Sequence, residues 1–176
     1  MKKKNLIITF LLFFVLLWMG TIFYLSSMNT NESNGKSKIV VGEIIEITSR
    51  VTHHHYSTDE KEKLVEEFNK PIRKIAHASV YFILAILILN FLLAINFKKE
   101  RKYSLVLSIT ILICFLFAIT DEYHQTFVEG RTGQFSDVLI DTSGAFLSSV
   151  IFILIDKKKK SRKSKRLVDS VNSQCL

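Results

Sequence analysis

The sequence predicts an all-α, polytopic membrane protein with four transmembrane helices and short amphipathic helices in its first outer segment. Three observations lead there. Hydrophobic residues make up 48% of the 176, and they collect in four runs that approach or exceed the roughly 20 residues a helix needs to cross a hydrocarbon core. The net charge is +8, and the lysines and arginines gather beside those runs instead of forming a basic stripe with interleaved aromatics. Such a distribution reads as a topology signal and as contact with anionic lipid, and it excludes nucleic acid as a partner. With one proline and six glycines, composition leaves little of the chain disordered apart from its tail.

The first span runs from Leu6 to Leu25 behind "MKKK". A secretory signal peptide starts the same way, but its apolar stretch covers only about 7–15 residues and ends at a small-residue cleavage site. This run is longer, carries Trp18 and Tyr24, and lacks an A-x-A pattern, so residues 1–28 read as an uncleaved N-terminal transmembrane helix. Residues 29–70 form an extracytoplasmic insert. Within it Val40, Ile44, Ile47 and Val51 recur at three and four, the mark of an amphipathic helix. Ser57 with Glu60 resembles a capping box, and Leu64, Val65 and Phe68 make a short apolar face behind it. Two short helices on or near the membrane surface are expected. His53, His54 and His55 read as a solvated connector, since three adjacent side chains cannot converge on one ion from a helix.

Residues 71–156 form the transmembrane core of three helices. Pro71 suits the first turn of the next helix, where its missing donor costs nothing. Spans follow at 78–97, 104–120 and 138–155, with the basic turn "KKERK" between the first two. Residues 157–176 are a basic tail, expected to be disordered. Cys114 lies in an apolar run and Cys175 beside the C-terminus, so no disulfide is expected. The N-terminus, the 98–102 turn and the tail carry three, four and eight of the 24 lysines and arginines. The inside-positive bias therefore places both termini in the cytoplasm and the chain in the cell membrane as a multi-pass protein.

Counting about 20 residues outward from each cytoplasmic boundary brings His77, Glu122 and Asp137 to one depth, the outer rim. Asp141 lies a turn deeper. A lone carboxylate there costs about 2.5–3.5 kcal/mol on insertion scales, so such residues face protein or water. Arg73, His77 and Tyr81 share one helical face, as do Asp137 and Asp141, and Asp121, His124 and Gln125 share a third. Gly144 with Ser148 forms a small-xxx-small seam for close helix packing. Pairing of Arg73, Lys74, His77 and Arg131 with Asp121, Glu122, Asp137 and Asp141 is expected to neutralise the group.

The chemistry open to this cluster is varied. His77, Asp121, Glu122, His124, Asp137 and Asp141 are acceptable ligands for a divalent metal, although "DEYH" matches no known zinc spacing. A histidine with a carboxylate supports general acid–base work, which makes His77, Asp121, Glu122 and His124 the catalytic candidates. Arg73, Lys74 and Arg131 suit a phosphate or carboxylate at headgroup level. Gly130 and Gly133 are turn residues, not a phosphate loop.

At these residues a family resemblance becomes visible. "RKIAHASVYFILA" resembles the R-K-x-A-H-x-x-x-Y segment of VanZ-like membrane proteins. "DEYHQTFVEGRTGQFSDVLIDTSGA" resembles their D-E-x-H-Q-x-F-x-x-x-R…D-V-x-x-[ND]-x-x-G-A segment, and the serine-rich stretch after the first span is similar too. The motif positions are Arg73, Lys74, His77, Tyr81, Asp121, Glu122, His124, Gln125, Arg131, Asp137 and Asp141. The resemblance implies an envelope protein that contributes to teicoplanin resistance through an outward-facing polar site. Its partners would be the lipid bilayer and a lipid-linked cell-wall precursor or an anionic lipid. The alternatives are an intramembrane hydrolase or transferase on a lipid-linked substrate, and a structural or partner-binding scaffold.

Overall fold

The computed structural model describes residues 2–95 and 103–174, all of whose regular structure is α-helical. Five helices follow one another: α1 (Lys2–Ser26), α2 (Thr30–Thr52), α3 (Thr58–Ile95), α4 (Tyr103–Gln125) and α5 (Phe135–Gln174). Four of them, α1, α3, α4 and α5, are long and apolar enough to cross a bilayer, and the chain is an all-α polytopic membrane protein. The basic turn at 98–102 and Cys175 lie outside the described residues.

Helix α3 is the hub, packing against each of the other four. Its Tyr81, Leu84, Ala85 and Ile88 form the core with Cys114, Phe117 and Ala118 of α4 and Val138 and Ala145 of α5. At Gly144 the backbones of α3 and α5 nearly touch. A β-carbon there would sit 2.0 Å from the Ala78 carbonyl oxygen, so only hydrogen fits, as a small-residue seam requires. Helix α1 is pinned to the bundle by the Trp18 indole N–H, which donates to the Val80 carbonyl at 2.9 Å. Its other side leaves Leu6, Phe10, Phe13 and Leu17 exposed, a lipid-facing surface for a span with so few neighbours.

The segment between α1 and the second span is built differently from its expected form. Helix α2 is a single helix of 23 residues. Asn29 caps it by accepting from the Glu32 backbone N–H at 2.9 Å, and His53 ends it in the left-handed region at φ 54°. Ser57 and Glu60 do form the capping box: Glu60 accepts from the Ser57 backbone N–H at 2.8 Å, and Ser57 Oγ accepts from the Glu60 backbone N–H at 3.3 Å. The helix they start does not stop before the span. It runs on for 38 residues with Pro71 inside it, about 57 Å at the α-helical rise and nearly twice a hydrocarbon core. The Pro71 ring removes one helical donor, which leaves the carbonyl of Glu67 without its usual partner, yet packing on both sides holds the helix together.

Helix α2 lies antiparallel along the N-terminal half of α3. Lys38 pairs with Glu66, the Ser37 hydroxyl meets the Asn69 side-chain oxygen, and Arg73 Nη1 donates to Asn34 Oδ1 at 3.0 Å. Val41 and Ile45 are buried in this contact. The predicted stripe of Val40, Ile44, Ile47 and Val51 is the exposed side instead, with Val51 74% accessible. The apolar face of α2 is wide enough to offer two seams, and α3 took the neighbouring one. The tail also departs from expectation, since α5 continues as helix to Gln174. A run of lysine, arginine and serine with no proline or glycine gives nothing to stop it.

Candidate functional site: a polar cluster at one end of the bundle

Three helix segments and one loop deliver the site. Helix α3 brings Arg73, His77 and Tyr81 up one face at a spacing of four, with Lys74 beside Arg73. Helix α4 ends in Asp121, Glu122, His124 and Gln125. Helix α5 opens with Asp137 and, one turn deeper, Asp141. The loop 126–134 supplies Arg131. It leaves α4 through three tight backbone bonds, Thr126 to Tyr123, Phe127 to His124 and Val128 to Gln125. Gly130 turns it at φ 74°, where L side chains are strained. Gly133 lets it pass within reach of α4, because a β-carbon there would sit 2.7 Å from the Glu122 carbonyl oxygen. The same approach allows the Gln134 backbone N–H to donate to Glu122 Oε2 at 2.9 Å.

The charges do not pair as expected. Among the described residues two contacts within 4 Å bring a basic side chain to an acid at the rim: Lys74 to Asp137 at 3.9 Å and His77 Nδ1 to Asp141 Oδ1 at 3.8 Å. The second is too long to be a hydrogen bond. Arg131 does not reach a carboxylate. Its Nη1 donates to Gln125 Oε1 at 2.9 Å, and Gln125 Nε2 in turn lies 3.2 Å from Glu122 Oε1 and 3.5 Å from Asp121 Oδ2. The neutral amide of Gln125 stands between the guanidinium and two acids. Burial and the neighbouring Arg73 guanidinium push the Arg131 pKa below its ordinary value, against the pull of Asp121, Glu122 and Asp137.

Beneath this relay the polar atoms are orphaned. Asp121 and Asp141 are both 0% exposed. Asp121 Oδ1, both Asp141 carboxylate oxygens, the Tyr81 hydroxyl, His124 Nδ1, Ser26 Oγ and Ser148 Oγ are buried with no hydrogen-bond partner. A buried polar group left without a partner costs about 1–3 kcal/mol, and among these Ser26 stands beside Asp121. The His124 ring packs edge-on against Phe23, 5.4 Å between centroids, which sets it on the α1 side of the cluster.

Two cavities border the cluster. One, of about 250 Å³, lies between the end of α1, the start of α2 and α3; Ile22, Leu25, Val40 and Val80 line it, and Asp121 and Ser26 reach it from below. The other, of about 200 Å³, is lined by hydroxyls and amides: Thr30, Thr132, Gln125 and Gln134, with Asp137. Arg73, His77 and Arg131 border both. Among the described residues no three His, Cys, Asp or Glu side chains are arranged to hold a metal ion. His53 caps α2, and His54 packs on Tyr56 at 4.6 Å between centroids, so the triple histidine serves the α2–α3 turn.

Ser26, Asn34, Thr30 and the Gln134 backbone were not singled out by the sequence, and all four bear on the site. Serine and asparagine just past an apolar run are ordinary connector residues. Only the return of α2 along α3 places Asn34 on Arg73, and only the approach of the loop joins the Thr30 hydroxyl to the Gly130 carbonyl.

The fold and this cluster define a class: a four-span helical membrane protein with a concentrated polar site where three spans end. Within that class the particular family is shown by comparison. The VanZ/LLP1 family model matches residues 10–156, and the chain belongs to that family. No curated protein and no solved structure matches it.

Proposed function

We propose that this VanZ/LLP1 family member sits in the cell membrane with both termini cytoplasmic and its polar cluster outward. There it lowers glycopeptide susceptibility, teicoplanin above all, by acting on an envelope component that enters the cluster. The observation that carries this reading is that Arg73, His77 and Arg131 border two adjoining cavities, an apolar one that Asp121 also lines and a polar one that Gln125 and Asp137 also line. The decisive test is deletion and complementation in the native host. Deletion should raise teicoplanin sensitivity more than vancomycin sensitivity, and an Asp141→Leu copy should fail to restore it while accumulating in membranes. Equal sensitivity of mutant and parent to both drugs would sink the proposal.

One observation favours a catalytic form of the same reading. His77 borders both cavities and has Asp141 3.8 Å behind its Nδ1, which leaves Nε2 as the nitrogen for proton transfer with a ligand. His77→Ala should then abolish the drug phenotype at unchanged abundance. Full activity of the alanine variants at His77, Asp121, Glu122 and His124 would remove catalysis and leave binding.

A further inference from the structure

We infer that the two cavities form one binding site for a phosphate-headed lipid, with the phosphate held between Arg73 and Arg131. The inference rests on the proposed function only in placing the action of the protein at this rim.

The charge pattern requires an anion. Arg73 donates to the Asn34 amide oxygen and Arg131 to the Gln125 amide oxygen, and neither has a carboxylate within the ion-pair distance of 4 Å. Each guanidinium carries five N–H donors, so most of their capacity is unspent, and a protein anion has not been supplied for either. Both border the same two cavities, so their like charges face a shared space. Lys36 adds a third cation beside the apolar cavity, its Nζ resting 3.0 Å from the Met28 sulfur. Two acids also face the cavities. Asp121 sits on the floor of the apolar one, and Asp137 on the wall of the polar one is already engaged by Lys74 at 3.9 Å. Positive charge therefore remains in excess between the two arginines, the geometry that bidentate phosphate recognition uses.

The surroundings require that the anion be amphiphilic. On one side of the arginine pair lies the apolar compartment of Ile22, Leu25 and Val80, with α1 and α3 residues at the level of their spans. On the other lies the compartment of Thr30, Thr132 and Gln134, which offers hydroxyl and amide groups to a hydroxylated headgroup. A cation pair between a greasy room and a hydrogen-bonding room matches a lipid whose phosphate joins its chain to its head. Free phosphate would leave the apolar room without purpose, and an uncharged lipid would leave the guanidiniums unanswered.

The test uses the full chain purified in detergent, with bound lipid measured by native mass spectrometry after addition of phosphatidylglycerol, farnesyl phosphate or diacylglycerol. Either phosphate lipid should bind, and the better of the two names the source; diacylglycerol should not. The double variant R73Q/R131Q should bind the phosphate lipids about tenfold or more weakly, the loss expected when charge-assisted bonds are removed. R73K/R131K, which keeps the charge and should fold if the glutamine pair does not, should bind at an intermediate level. Equal retention of diacylglycerol, no retention of either phosphate lipid, or a well-folded glutamine pair that binds as the parent does would overturn the site. Teicoplanin susceptibility of the same variants separates the two claims. Lost binding with an unchanged drug response removes the proposed function and keeps the site, whereas a lost drug response with unchanged binding removes the site alone.

Discussion

Helix α3 meets two environments at consecutive residues. At Ala78 it meets Gly144 so closely that a β-carbon has no room, and below that point Leu84, Ala85 and Ile88 are buried in matching apolar surface. At His77 the same helix faces Asp141, whose two oxygens have no partner. The first region is solved as a packing problem between apolar and small side chains. The second is a polar cluster in which the Gln125 amide stands between Arg131 and the acids Glu122 and Asp121. The contrast separates an apolar packing contact from a polar cluster within one bundle.

The largest expected effect tests the packed region. Gly144→Val forces a branched side chain into the Ala78 carbonyl, and should cost more than about 3 kcal/mol, since the obstacle is backbone and cannot swing aside. Loss of folded protein from membranes, or a steep fall in the melting temperature of the purified chain, would report it; parent-like stability would show that the α3–α5 contact is looser than 2.0 Å implies.

A smaller effect sharpens the rim. Gln125→Leu removes the acceptor of Arg131 and the shared donor of Glu122 and Asp121. Each group left unmade costs about 1–3 kcal/mol, so thermal unfolding should shift down by several degrees. An unchanged midpoint would mean that the amide carries none of the separation between cation and acids.

The smallest effect compares the two seams of α2. Ile47→Ser on the exposed stripe should stay within about 0.5 kcal/mol of the parent. Val41→Ala, at 2% exposed, should cost about 2 kcal/mol through lost burial against α3. Measured by thermal unfolding side by side, a reversed order would return the packing of α2 to the stripe the spacing first suggests.

What the sequence determined by itself is depth and punctuation. Run length places four spans in a bilayer, and counting along them brings His77, Glu122, Asp137 and Asp141 to one end, because helical rise converts residue number into height. Ser57 with Glu60 starts α3 and Gly144 closes on α3 for reasons written within a few residues. Tertiary structure decided what stands beside what. The choice of Val41 over Val40 as the buried side of α2, the continuation of α3 through Pro71, and the insertion of Gln125 between Arg131 and two acids each depend on a second element arriving. Periodicity states which residues share a face; a face acquires its neighbour, and a buried carboxylate its isolation, only when the helices pack.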